Sequence, residues 1–197
     1  MANRREFIQA GIAAGAAPVA VGAGPALAAP AAAPTPLYKV VFDERFAPAV
    51  QFGRAAERAG VAAHPIRGDM TSFWYHELDA RWKASPVAIA GMTAHGPMFC
   101  FEILARDHGL RLVYQAEHAC AAGEVRHTIS GPMPLLRRSA SLEAAGAVWP
   151  ARLAEMVAAC PAEPRASGAL DLVTPTEATA PLDEPLFTWV IAPVSRT

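Results

Sequence analysis

The sequence predicts an α/β domain, because short β-prone runs alternate with helical ones after residue 36 and only a few residues join them. Two of the runs, residues 87–90 and 110–114, are apolar almost throughout, the pattern of strands covered on both faces. These observations lead us to expect a single three-layer domain with a mainly parallel sheet, helices on both faces and an irregular Pro-rich stretch near the C-terminus.

Residues 37–42 (LYKVVF) are β-branched and aromatic and open the domain as a strand. A helix follows over 48–59 (PAVQFGRAAERA), with Pro48 in its first turn, where a missing N–H costs nothing, and Gly60 just past its end. Residues 61–66 make a weaker strand. The next helix, 72–83 (SFWYHELDARWK), is capped by Thr71 or Ser72, whose hydroxyls suit the free amides of a first turn. Residues 86–90 (PVAIA) form a third strand, 97–108 a helix that stops at Gly109, and 110–116 (LRLVYQA) a fourth strand.

Beyond Glu117 the pattern changes. Residues 123–129 read as an antiparallel or edge strand, and 141–159 as a helix interrupted at Trp149 and Pro150. Residues 161–185, rich in Pro, Ala and Thr without a sustained period, read as an exposed meander, and 187–191 (FTWVI) as a strand added to the sheet.

At the N-terminus, Arg4 and Arg5 stand together ahead of Phe7 and Ile8, and about twenty small or apolar residues follow. This segment resembles the twin-arginine (Tat) export signal, in which paired arginines precede a hydrophobic residue and a weakly apolar stretch; the match covers residues 3–33. The resemblance implies that the Tat translocase carries the folded chain across a bacterial cytoplasmic membrane to the periplasm. Ala26 and Ala28 make a small-x-small cleavage site, so we expect a cleavable signal over 1–28, a linker over 29–36 and the domain over 37–197. Residues 10–29 are mostly Ala and Gly with Pro18 and Pro25 inside, too poor in Leu, Ile and Phe for a stable membrane span in the mature form.

Without residues 1–28 the chain has 169 residues, enough for one domain with a proper core, and 15 basic against 17 acidic side chains, a net charge of -2. That balance gives no basic surface for nucleic acid. Cys100, Cys120 and Cys160 match no zinc spacing. In an oxidising compartment at most one bridge can form, for which Cys120 and Cys160 are the candidate pair, with Cys100 buried in its helix.

Open parallel sheets bind ligands outside the carboxyl ends of their strands. Each expected strand end opens onto polar side chains: Asp43, Glu44 and Arg45; Arg67, Asp69 and Thr71; Thr93 and His95; Glu117 and His118. The opposite ends carry mostly turn and cap residues. In residues 91–97 (GMTAHGP), Gly91 and Gly96 would let backbone approach a ligand, and the following helix would aim its free amides at an anion.

The expected function is therefore an exported enzyme or binder of a small, anionic ligand held by Arg67, Gly91, Thr93, His95 and Gly96. Asp69, Glu117 and His118 would then supply acid–base groups, since a His beside a carboxylate titrates near neutral pH. The alternative is a non-catalytic accessory subunit that carries the export signal for a larger redox partner, to which Phe73, Trp74, Tyr75 and Trp82 on one short helix would offer a docking face. A third arrangement would gather Asp43, Asp69, His95 and His118 around a metal ion. No haem, iron–sulfur or dinucleotide fingerprint occurs, and the cofactor is left open.

Overall fold

The computed structural model describes residues 35–160, 166–177 and 180–194. The segment read as an export signal, with its expected cleavage site, lies outside the described residues.

Seven strands form one mixed sheet: β1 (Leu37–Asp43), β2 (Ala63–Ile66), β3 (Ala88–Thr93), β4 (Leu110–Ala121), β5 (Glu124–Pro132), β6 (Ser167–Pro175) and β7 (Leu186–Pro193), in the order β2-β1-β3-β7-β4-β5-β6. The α/β class is as expected. The sheet is not mainly parallel: β1 pairs parallel with β2 and β3, and the other four pairings are antiparallel. Two features account for the difference. The β4–β5 connection is a tight hairpin at Ala122 and Gly123, whose φ of 83° suits glycine, and a hairpin joins only antiparallel strands. Meanwhile β7, buried along seven of its eight residues, occupies the centre of the sheet rather than its margin.

Because β7 runs antiparallel to both β3 and β4, the first four strands still point the same way. Their carboxyl ends share one edge. The segment expected to be an irregular meander supplies β6, whose register with β5 is unbroken from Ser167 to Pro175.

The helices are α1 (Ala47–Arg58), α2 (Thr71–Phe73), α3 (Asp79–Ala84), α4 (His95–Asp107), α5 (Met133–Ser139) and α6 (Trp149–Ala158). Between α2 and α3 the chain makes a wide π-turn over Trp74–Leu78. Its i→i+5 spacing keeps Phe73 and Leu78 together in the core, where they join Trp82. Pro150 at the first turn of α6 explains the interruption seen in the sequence as a helix start.

Alternate strand residues feed two cores. Val40, Ala90, Met92, Tyr114, Ala116 and Val190 pack with α1, α5 and α6, whereas Val41, Ile89, Phe187, Trp189 and Ile191 pack with α2, α3 and α4. Within the second core the Trp82 indole N–H donates to the Val87 carbonyl at 3.0 Å. No disulfide joins any two of the three cysteines. Cys120 and Cys160, the candidate pair for a bridge, are both buried in the first core, and burial pushes their thiols up to about 11 and about 12. Cys100, expected inside, is exposed on α4. Among the described residues no helix is long and apolar enough to cross a membrane.

Candidate functional site

The carboxyl edge of the sheet divides the expected site residues into three groups. Arg67 and Asp69 follow β2. Arg67 reaches Glu44 at 3.5 Å, and the Asp69 carboxylate accepts the Thr71 N–H at 2.8 Å, a local cap that holds its pKa below the ordinary value. Both side chains are exposed.

The second group surrounds Phe187. Thr93 on β3 and Glu117 on β4 are both in register with Phe187, so they stand level across one intervening strand, roughly 10 Å apart at about 4.8 Å per strand. The His95 ring packs edge-on against Phe187 at 5.3 Å and stacks on Phe99 at 5.9 Å. Thr93 is fully buried and accepts the Trp189 indole N–H at 3.1 Å, which commits it to the core, whereas His95 and Glu117 are exposed.

The expected glycine loop is differently built. Strand β3 continues through Gly91, Met92 and Thr93, and α4 begins at His95, leaving Ala94 alone as the joint. Gly91 is a strand residue where any Cβ would sit 2.4 Å from the Trp189 ring and 2.7 Å from the Val41 carbonyl oxygen. Gly96 lies exposed in the first turn of α4 with nothing within 4 Å of a Cβ. Gly91 is therefore required by core packing, not by a ligand's approach.

His118 forms the third group. Strand β4 runs five residues beyond its expected end, so Glu117 and His118 are mid-strand and project to opposite faces. His118 is fully buried beside His127, their Nδ1 atoms 2.7 Å apart, and Trp149 packs on both rings at 4.9 and 5.2 Å. His118 Nε2 lies 2.8 Å from the Thr188 hydroxyl and His127 Nε2 2.9 Å from that of Thr174.

The proton positions in this chain follow from one donor. The Thr174 hydroxyl gives its proton to the Leu142 carbonyl at 2.7 Å, so it accepts from His127 Nε2–H. Neutral His127 then accepts at Nδ1 from His118 Nδ1–H, and His118 Nε2 accepts from Thr188. Every nitrogen is satisfied with both rings neutral, and a proton added to His127 would set two Nδ1–H donors against each other. Burial lowers both pKa values, that of His127 to about 4. Sealed in the core, His118 does not join Glu117 at a surface site.

At the end of β1 a more open constellation appears. The buried Asp43 carboxylate takes the Arg45 guanidinium in a two-pronged bond, Nε to Oδ1 at 2.9 Å and Nη2 to Oδ2 at 2.6 Å. This holds Arg45 over Gly68, where an added Cβ would lie 2.8 Å from the guanidinium carbon, and against the Phe46 ring at 5.0 Å. From there a surface furrow of about 620 Å³ follows α1 past Ala47, Val50, Gln51, Arg54 and Arg58, with Glu44 at its start. Positions 47, 51, 54 and 58 recur at helical spacing and share one face. Among the described residues neither Arg54 nor Arg58 has an ion-pair partner.

Arg54 and Arg58 were legible as a like-charge i, i+4 pair on the exposed face of an expected helix. The strand-end rule directs attention to loops and passes over them. On the other face of the sheet, Met70, Trp74, Tyr75, Phe99, Cys100 and Ile103 line an apolar groove between the π-turn and α4, with Tyr75 72% and Phe99 50% exposed. Phe73 and Trp82, counted for the same docking face in the sequence, are core residues. Among the described residues no three His, Cys, Asp or Glu side chains stand close enough to share a metal ion, so Asp43, Asp69, His95 and His118 do not form the metal site considered above. Comparison with protein-family models, curated proteins and solved structures finds no match.

Proposed function

We propose that the protein is exported to the periplasm by the twin-arginine route and there binds a small anionic ligand at the carboxyl edge of its sheet, in the furrow along α1. The observation that carries this reading is the juxtaposition of Arg45, fixed by the buried Asp43, with Arg54 and Arg58, which have no carboxylate partner among the described residues. Two cations at i, i+4 repel by about 0.2–0.5 kcal/mol in an isolated helix, and a bound anion offsets that repulsion. Gln51 adds a neutral donor to the same face.

Titration with inorganic phosphate in low salt tests the reading. Binding is expected to weaken at least tenfold in the Arg54→Gln/Arg58→Gln double variant, whose exposed side chains leave the fold intact. Equal binding by the variant contradicts it. Export is tested separately: Arg4→Lys/Arg5→Lys is expected to leave the precursor in the cytoplasm with its signal attached, and a normal periplasmic yield contradicts the twin-arginine route.

A second reading, an accessory subunit that brings a larger redox partner through the membrane, is favoured by the apolar groove. Exposed aromatic side chains clustered this way are typical of interface centres. Under this reading Tyr75→Ser/Phe99→Ser abolishes co-purification of a partner from periplasm while phosphate binding is unchanged.

A further inference from the structure

Next to the arginine furrow lies a second depression of about 220 Å³, lined by Arg45, Phe46, Ala47, Pro48, Gln51, Ala147, Pro150, Ala180 and Leu182. It shares Arg45, Ala47 and Gln51 with the furrow, so the two are continuous across the first turn of α1. The residues they do not share differ in kind. The furrow presents guanidinium groups, whereas the second depression is walled by the Phe46 ring, Pro48, Ala147, Pro150 and Leu182. Pro48 brings no N–H to that wall.

We propose that this combined trough takes an amphiphilic anion, a carboxylate with an extended apolar body, its head among Arg45, Gln51 and Arg54 and its tail against Phe46, Pro48, Ala147, Pro150 and Leu182. The inference rests on the anion-binding reading above and names its ligand class. Three observations support it. Ala47 and Arg54 are seven residues apart on α1, roughly 10 Å at about 1.5 Å per residue, a span that an extended medium-chain carboxylate matches.

The carboxylates near the trough are held by arginines or stand beside one. Asp43 is closed off by Arg45, Glu44 faces Arg67 at 3.5 Å, and Glu184 acts on Arg45, raising its pKa further. The residues that line only one depression are also segregated, Arg54 and Arg58 to the furrow and Phe46, Pro48, Pro150 and Leu182 to the other end, an arrangement that favours a ligand with one charged end over a compact inorganic ion.

The test compares three probes by titration calorimetry on the purified protein: octanoate, inorganic phosphate and 1-octanol. Octanoate is expected to bind at least tenfold tighter than either of the others, since only it uses both ends. Ala147→Trp, at an exposed position in a short turn, fills the apolar end without adding charge. It is expected to weaken octanoate at least tenfold and leave phosphate unchanged, whereas Arg54→Gln/Arg58→Gln weakens both anions.

Phosphate binding as tight as octanoate, or insensitivity of octanoate to Ala147→Trp, overturns the amphiphilic class while the anion site stands. Anion binding that ignores Arg54→Gln/Arg58→Gln, or no anion binding at all, overturns both together.

Discussion

Acidification from pH 7 to pH 4 is expected to lower the urea midpoint of unfolding sharply, with most of the loss below pH 6.5. The cause is the buried His118–His127 chain, in which burial disfavours the charged rings while two neutral imidazoles satisfy all four ring nitrogens. In the unfolded chain each ring takes up a proton near the ordinary value of 6.5, whereas folded His127 does so only near about 4 and His118 well below 6.5. The unfolded state thus binds more protons across this window, and stability falls as pH falls through it. At about 1.4 kcal/mol per pH unit, His127 alone contributes a loss on the order of 3 kcal/mol.

His64, whose pKa burial and the neighbouring Lys39 also lower, acts in the same direction. A His118→Leu/His127→Leu double variant is expected to flatten most of the slope between pH 6.5 and pH 4. By contrast, His127→Ala alone is expected to cost about 2–4 kcal/mol at pH 7, because it opens a cavity under Trp149 and leaves the His118 Nδ1–H without an acceptor. Identical midpoints for the wild-type protein at pH 7 and pH 4 contradict this account of the pair.

Gly91→Ala is expected to destabilise the protein by about 3 kcal/mol or more, and Gly91→Val by more still. The added Cβ has no free volume: it meets the Trp189 ring at 2.4 Å on one side and the Val41 carbonyl oxygen at 2.7 Å on another. Trp189 is held by its bond to Thr93 and is fully buried, so it has nowhere to move. Gly96→Ala provides the control. Nothing lies within 4 Å of its Cβ, and in the first turn of a helix alanine is neutral or stabilising by a fraction of about 1 kcal/mol. Paired urea titrations check the contrast; equal midpoints for the two alanine variants contradict the packing described at β3.

The local elements were largely legible because each rests on local chemistry. Pro48 and Gly60 bracket α1, Gly109 closes the end of α4 immediately before β4, and continuous apolar runs mark β3 and the start of β4. The direction of the first four strands also followed, since helical crossovers return the chain to the same edge. Pairing order did not. Nothing in FTWVI distinguishes a marginal strand from a central one, and its place between β3 and β4 is set by contacts distant in sequence.

The site was legible in part. Thr93, His95 and Glu117 do stand around Phe187: strand direction puts them at one edge, and the central place of β7 brings Phe187 between them. His118 was misplaced because β4 continues past the point where its apolar run stops, and a one-residue step along a strand reverses the face. The Arg54–Arg58 stripe escaped the strand-end rule because it belongs to a helix face, and the significance of Arg45 depends on a bond to Asp43 that sequence spacing only hints at.

The placement of the ligand in the trough is tested most directly by following the arginine Nε–Hε and glutamine side-chain resonances while octanoate is added to isotopically labelled protein. Shifts confined to Arg45, Gln51, Arg54 and Arg58, with Arg106 and Arg152 unmoved on their own ion pairs, are the predicted result. Shifts centred on Arg67, or none among the four, contradict the site.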